Sequence, residues 1–257
     1  MKKLLFALLC LVSVEANAQK LGDTIKKDLL TAPDTVRHLH SKAWTLIPPA
    51  ALIGYGALSF VITPIRHFDY YLNSDIARTA PNFHTKAESY FQVAPIAMVY
   101  GLNLVGITGK NRFIDRTALL GLSGGILALS GYGTKYATHR LRPNQTDYLS
   151  FPSGHTSIAF MGAEFLAQEY SDKSVWYSVA GYTIAATTGV FRMYNRDHWF
   201  SDVVAGAGFG ILSTKAAYLI YPYLRNKLTH KNKEGKSTMF MPTYQNGAVG
   251  LAFAKEL

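Results

Sequence analysis

A chain of 257 residues is long enough for one domain with a sizeable buried core, and no shift in composition marks a second folded domain. Hydrophobic residues make up 49% and charged residues only 16%, well below the roughly 25% charged content of soluble domains, so composition points away from an ordinary soluble protein and towards a membrane. The net charge of +10 admits anionic partners, but no basic stretch is interleaved with aromatics as in a nucleic-acid platform. The densest basic run, residues 225–236, follows an apolar stretch directly, which favours a phosphate-bearing lipid surface over nucleic acid.

The chain starts with Met1-Lys2-Lys3, an apolar run over 4–14, and Ala16-Asn17-Ala18. A charged start, an apolar core and an A-x-A end describe a signal peptide over residues 1–18, with an uncleaved N-terminal anchor as the alternative. Cys10 is the only cysteine and lies inside this run, so a cleaved chain has no disulfide, thiolate or cysteine-ligated metal chemistry. Residues 19–45 form a polar segment. Apolar stretches then recur at 46–62, 91–107, 117–132, 156–167, 175–191 and 203–221. They predict an all-α fold, a membrane bundle of about six helices over residues 46–224, packed closely through Gly, Ala, Ser and Thr. Periodicity does not separate such helices from those of a soluble bundle, but six would be excessive for the core of one small soluble domain. Residues 64–90, with Pro64, Asp69, Asn73, Pro81 and Asn82, read as a polar loop with one short helix and no legible chemistry. The basic tail, 225–257, ends in two apolar runs around Asn246-Gly247, a two-residue hairpin signal, with Pro242 confining the first run to an edge.

Three segments collect phosphate-binding or proton-transferring groups at the ends of apolar stretches. In the first, Lys135 and Arg142 lie seven positions apart, about two helical turns, so both cations can emerge on one helix face before Pro143 ends it. Taken alone, this reads better as a pair of snorkelling interface residues. In the second, Pro152-Ser153-Gly154-His155 precedes the run starting at Thr156. Such a helix start offers free N–H groups and a dipole to an anion, with His155 placed to donate a proton; the plain alternative is a cap with an incidental histidine. In the third, His198 and Asp202 are four residues apart, one face of a helix, where a carboxylate orients and polarises an imidazole or merely makes a surface contact. Arg192 precedes His198 by six, so a turn is expected around Asn195 and Asp197. Together the segments supply three cations, two histidines, one carboxylate and a helix N-terminus, the inventory that phosphoryl transfer needs.

These segments resemble the type 2 phosphatidic acid phosphatase (PAP2) superfamily, whose signature is K-x6-RP, then PSGH, then SR-x5-H-x3-D. Lys135 through Arg142-Pro143, Pro152 through His155, and Arg192 through His198 to Asp202 fit in order and spacing over a likeness covering roughly residues 91–222. Phe191 stands where a serine is usual. The resemblance implies His198 as nucleophile, Asp202 as its orienter and His155 as general acid. It implies that Lys135, Arg142, Ser153, Gly154 and Arg192 hold phosphate, with no metal and no cofactor. His139, Arg140, Asn144, Arg196 and Asp197 are left as head-group contacts or solvated loop residues, and Trp199 and Tyr194 as interface aromatics or packing.

The implied activity is a lipid phosphatase of a bacterial envelope, with lipid A phosphate favoured over undecaprenyl diphosphate or a phosphatidyl phosphate. The alternatives are a soluble periplasmic acid phosphatase, a vanadium-dependent haloperoxidase and a membrane scaffold that binds lipid phosphates without cleaving them. The positive-inside bias places Lys110, Arg112, Arg116 and 225–236 in the cytoplasm, and the loops 135–155 and 192–202 at the periplasmic face of the inner membrane. With an exported N-terminus six spans would reverse that, so either the signal is not used as one or 46–62, weakened by Pro48 and Pro49, does not span.

Overall fold

Residues 21–25, 27–28, 43–228, 238–245 and 248–255 are described by the computed structural model; the expected signal peptide lies outside them. A 3-10 turn at Ala43–Leu46 leads into α1 (Ile47–Leu58). Pro48 and Pro49 sit in its first turn, where a missing N–H costs no helix bond. Then come α2 (Thr63–Thr79), α3 (Ala87–Phe91), α4 (Ala94–Leu104), α5 (Phe113–Thr138), α6 (Gly154–Tyr170), α7 (Val175–Tyr194) and α8 (Phe200–Leu228). Four of the six predicted stretches fall within a helix, and the other two, 46–62 and 91–107, contain α1 and α4 and overrun them at both ends. The segment 64–90 is not a loop, as expected, but consists largely of α2 and α3; Pro64 lies in the first turn of α2 and helps to start it.

α5 and α8 are long and apolar enough to cross a membrane, and α1 with α2 passes the same test as one segment bent by 84°. At 1.5 Å per residue, helices of this length reach roughly 40 Å, more than the hydrocarbon thickness. α6 is the innermost helix. It runs between α7 and α8 and buries Thr156, Ala159, Ala163, Phe165, Leu166 and Tyr170. Small residues bring α8 against it: a Cβ on Gly206 would lie 2.8 Å from the Ser153 carbonyl oxygen, and one on Gly210 would overlap the Ser157 carbonyl. This is how membrane helices gain packing where lipid offers no hydrophobic drive.

The apolar core of Val99, Leu119, Phe165, Leu166, Tyr170 and Tyr218 lies towards the C-terminal end of α6. Buried charges are paired inside the bundle. Glu164 meets Lys215 at 2.8 Å and accepts a hydrogen bond from the Tyr182 hydroxyl, while Arg116 meets Asp28 at 2.7 Å and Arg225 meets Asp115 at 2.9 Å. Successive helices α5 to α8 alternate in direction. The C-terminal ends of α5 and α7 and the N-terminal ends of α6 and α8 therefore share one end of the bundle. Beyond α8, β1 (Thr238–Gln245) and β2 (Ala248–Lys255) pair antiparallel, with Gln245 opposite Ala248 across residues 246–247.

Candidate active site

That shared end gathers the three motif segments, by routes that differ from the predicted ones. α5 stops at Thr138, and His139 adopts the left-handed conformation (φ 43°) that ends it. Arg142 is therefore not on the helix of Lys135. The intervening loop folds back instead, with Ser150 N–H donating to the Arg140 carbonyl and Arg142 N–H to the Asp147 carbonyl, both at 3.0 Å. Lys135 Nζ donates to the Leu149 and Pro152 carbonyls, each at 2.6 Å, fixing the approach to α6.

α6 begins at Gly154 with Ser153 at its cap and no side chain closing its N-terminus. Its first N–H groups have no intrahelical partner. A Cβ on Gly154 would meet nothing within 4 Å, so space is open there for an anion. Ser153 is fully buried and already engaged: its hydroxyl shares a 2.9 Å hydrogen bond with Thr156, and its N–H donates to the Asp202 carbonyl at 3.0 Å. It ties α6 to α8.

His198 also departs from the helix-face reading. α7 ends at Tyr194, Arg196 takes a left-handed turn (φ 57°), and α8 begins only at Phe200. His198 thus sits in the turn, with Asp202 in the first turn of α8, and the two still meet: Nδ1 lies 3.7 Å from Asp202 Oδ2, an ion-pair distance longer than a hydrogen bond. On the other side Arg142 Nη1 lies 3.3 Å from His198 Nε2. A guanidinium only donates, so Nε2 accepts and the proton belongs on Nδ1, facing the carboxylate. Nε2, the basic nitrogen, is on the side of the cations. His198 is 3% exposed, and burial, ahead of Arg142 and Arg192 and against the opposing pull of Asp202, pushes its pKa down to about 4.

Arg192 is held between Asp197 (2.7 Å) and Glu88 (3.3 Å); its Nε is buried without a protein partner, as is Glu88 Oε2. His155, partly buried, has its pKa lowered to about 4 by burial first and then by Arg192, Arg142 and Lys135, with Glu88 opposing. The imidazole therefore feels the charge of all three cations. Phe191 packs against Phe91 (centroids 5.9 Å apart) and Phe83 (6.1 Å), and Phe83 against Tyr194 (5.3 Å), so an aromatic patch replaces a hydroxyl beside Arg192.

Several residues left open by the sequence are structural ties. Asn144 donates to Asp197 Oδ1 at 2.9 Å and to the Arg196 carbonyl at 3.0 Å, docking the two loops, and Trp199 Nε1 reaches the Leu141 carbonyl at 2.8 Å. Asp69, Glu88, Arg140 and Ser150 were not assigned to the site from sequence. Ser150 Oγ donates to Asp202 Oδ2 at 2.5 Å, and Arg140 Nη1 donates to Oδ1 at 2.7 Å. Nothing local marks Asp69 or Glu88, whose partners lie 71 and 104 residues away. Among the described residues no group of three or more His, Cys, Asp or Glu side chains is placed to hold a metal ion.

The fold and the site define a helical membrane protein with a cluster of basic and histidine side chains at one end of its bundle. Residues 129–226, which carry the motif side chains, match the PAP2 superfamily. The lipid A 1-phosphatase of Porphyromonas gingivalis is 38% identical over 146 residues, 55% of this chain and 32% of that protein. The probable lipid phosphate phosphatase 4 of Arabidopsis thaliana is 31% identical over 125 residues, 40% of this chain and 41% of its own length. The chain thus spans less than half the length of these two relatives. The fold is similar to the crystal structure of a transmembrane PAP2-type phosphatidylglycerolphosphate phosphatase from Bacillus subtilis. That likeness has a TM-score of 0.50 at 18% identity and covers 72% of this chain and 99% of that one.

Proposed function

We propose that this protein removes phosphate from a membrane lipid, with lipid A phosphate the favoured substrate, through a phosphoryl group carried on His198. The observation that carries this reading is the setting of His198: Nε2 3.3 Å from Arg142 and Nδ1 3.7 Å from Asp202. One nitrogen is offered to an anion, and the other faces the charge that stabilises an imidazolium. The phosphate group lies among Lys135, Arg142 and Arg192 and against the open N-terminus of α6. The Nε2 lone pair attacks phosphorus, the bond from phosphorus to the lipid oxygen breaks, and that oxygen takes a proton from His155. Water then attacks the phosphohistidine, His155 takes the water proton, and the Nε2–phosphorus bond breaks to release inorganic phosphate. Charge on the equatorial oxygens is met by the three cations, so turnover is expected to persist in excess chelator.

The similarity to a lipid A 1-phosphatase supports the substrate, and the two long apolar helices weigh against a soluble acid phosphatase. The site faces the periplasm from the inner membrane in this reading: Lys110, Arg112, Arg116 and Arg225 sit at the opposite end of α5 and α8, where the positive-inside bias puts the cytoplasm. Phosphate release by the purified protein from lipid A, undecaprenyl diphosphate, phosphatidylglycerophosphate and phosphatidate tests it. Lipid A is expected to give the highest kcat/KM. Another lipid in first place overturns the substrate, and release from none overturns the activity.

A further inference from the structure

Asp69 lies on α2, outside the three motif segments, and is 1% exposed. Its Oδ1 accepts the Ser201 N–H at 2.9 Å; its Oδ2 accepts the Ser201 hydroxyl at 2.5 Å and Arg140 Nη2 at 2.7 Å. The other end of the same guanidinium, Nη1, donates to Asp202 Oδ1 at 2.7 Å. Arg140 is further held by the Ser59 and Ser201 hydroxyls, and by the rings of Phe60 and Trp199 at 5.2 and 5.7 Å. One partly buried cation is thus shared by two buried carboxylates, and one of these is the partner of His198.

Sharing changes what His198 experiences. A guanidinium bound to Asp202 alone would cancel its charge and leave Nδ1 facing a neutral pair. The imidazole becomes positive when Nε2 bonds to phosphorus, so a neutral pair would stabilise that state poorly. The second carboxylate takes up the Arg140 charge, and the trio keeps one net negative charge in a dry setting where it counts most. We propose that Asp69 is a positioning residue for phosphoryl transfer: it offsets Arg140 so that Asp202 is held in place by the guanidinium without being neutralised by it. This rests on the reading of His198 as the nucleophile.

The full chain, purified in detergent, tests the inference with steady-state kinetics on its lipid substrate. Asp69→Asn keeps the shape and the acceptor for Ser201 N–H but removes the charge. It is expected to lower kcat by roughly tenfold to a hundredfold, the usual range for an outer-shell partner, with KM changed less than about twofold. In a protein that already carries Arg140→Gln there is no cation to offset, so adding Asp69→Asn should cost less than about twofold in kcat. A kcat of folded Asp69→Asn equal to wild type overturns the proposal. So does a loss on the Arg140→Gln background as large as ten fold or more, which marks a merely structural aspartate and is readable even if Asp69→Asn alone does not fold. His198→Ala in the same assay separates the two claims: retained turnover there overturns the nucleophile assignment, whereas its loss alongside an unaffected Asp69→Asn overturns only the role of Asp69.

Discussion

His198 is sealed between Arg142 and Asp202, whereas His155 is only partly buried and feels the charge of three cations, and these settings suit different jobs. His198→Ala is expected to abolish both turnover and covalent labelling by phosphate-labelled substrate. His155→Ala should slow a lipid alkoxide leaving group by about a hundredfold to ten-thousandfold, the usual worth of a general acid, and much less for an aryl phosphate, which departs without a proton. Equal leaving-group dependence in the two variants would overturn the assignment. The acid role also requires His155 to gain a proton that its own surroundings do not favour, since its pKa is lowered from 6.5 to about 4 by burial and by Arg192, Arg142 and Lys135. A bound dianion offsets those cations and raises the pKa, so the liganded protein holds more protons than the free one. By linkage, affinity must then rise as pH falls from 6.5 towards 4. Sulfate, which stays doubly charged across that window, should bind more tightly at the lower pH with measurable proton uptake by calorimetry. His155→Gln should remove part of that slope; a pH-independent wild type would sink the idea.

At the level of helices, α8 does two things at once: its first turn presents Asp202, and its glycines set how near that turn comes to the start of α6. Gly210→Leu forces a side chain against the Ser157 carbonyl and should cost about 1–3 kcal/mol, read as a lower Tm in detergent. Gly206→Val pushes instead on Ser153 and Thr156, so its activity should fall by more than its Tm accounts for. Gly125→Ala on α5 meets nothing within 4 Å and should be neutral or stabilising by up to about 1 kcal/mol. The helices themselves were legible because apolar runs of this kind carry their own signal, and the motif residues because their spacing is local. Where the prediction failed, tertiary context decided. α2 carries Arg66, Asp69, Asp75 and Arg78 and looks like a solvated connection until Asp69 is seen buried under α8. Arg142 and His198 reach the site from turns, not from the helix faces their spacing suggested, because His139 and Arg196 adopt left-handed conformations that no spacing rule reveals.

Across the whole molecule, every side chain proposed to take part in the reaction sits at one end of the bundle and the basic residues Lys110, Arg112 and Arg225 at the other, which makes orientation a single question. In a background with Cys10 replaced, Gln145→Cys in the site-side loop should react with a membrane-impermeant maleimide added from the periplasm, and Ser171→Cys in the α6–α7 turn should not; the reverse pattern would refute the orientation. The placement of the two supporting carboxylates bears on heredity as well as on chemistry. Residues 129–226 contain every side chain from Lys135 to Asp202 assigned a part in the reaction, yet Asp69 and Glu88, which face Arg140 and Arg192, are encoded upstream of that stretch. Recombination between two relatives that exchanged only this stretch would transmit a reaction centre separated from its counter-charges. A lineage could likewise fall silent through drift in α2 or α3 while its recognisable signature stayed intact.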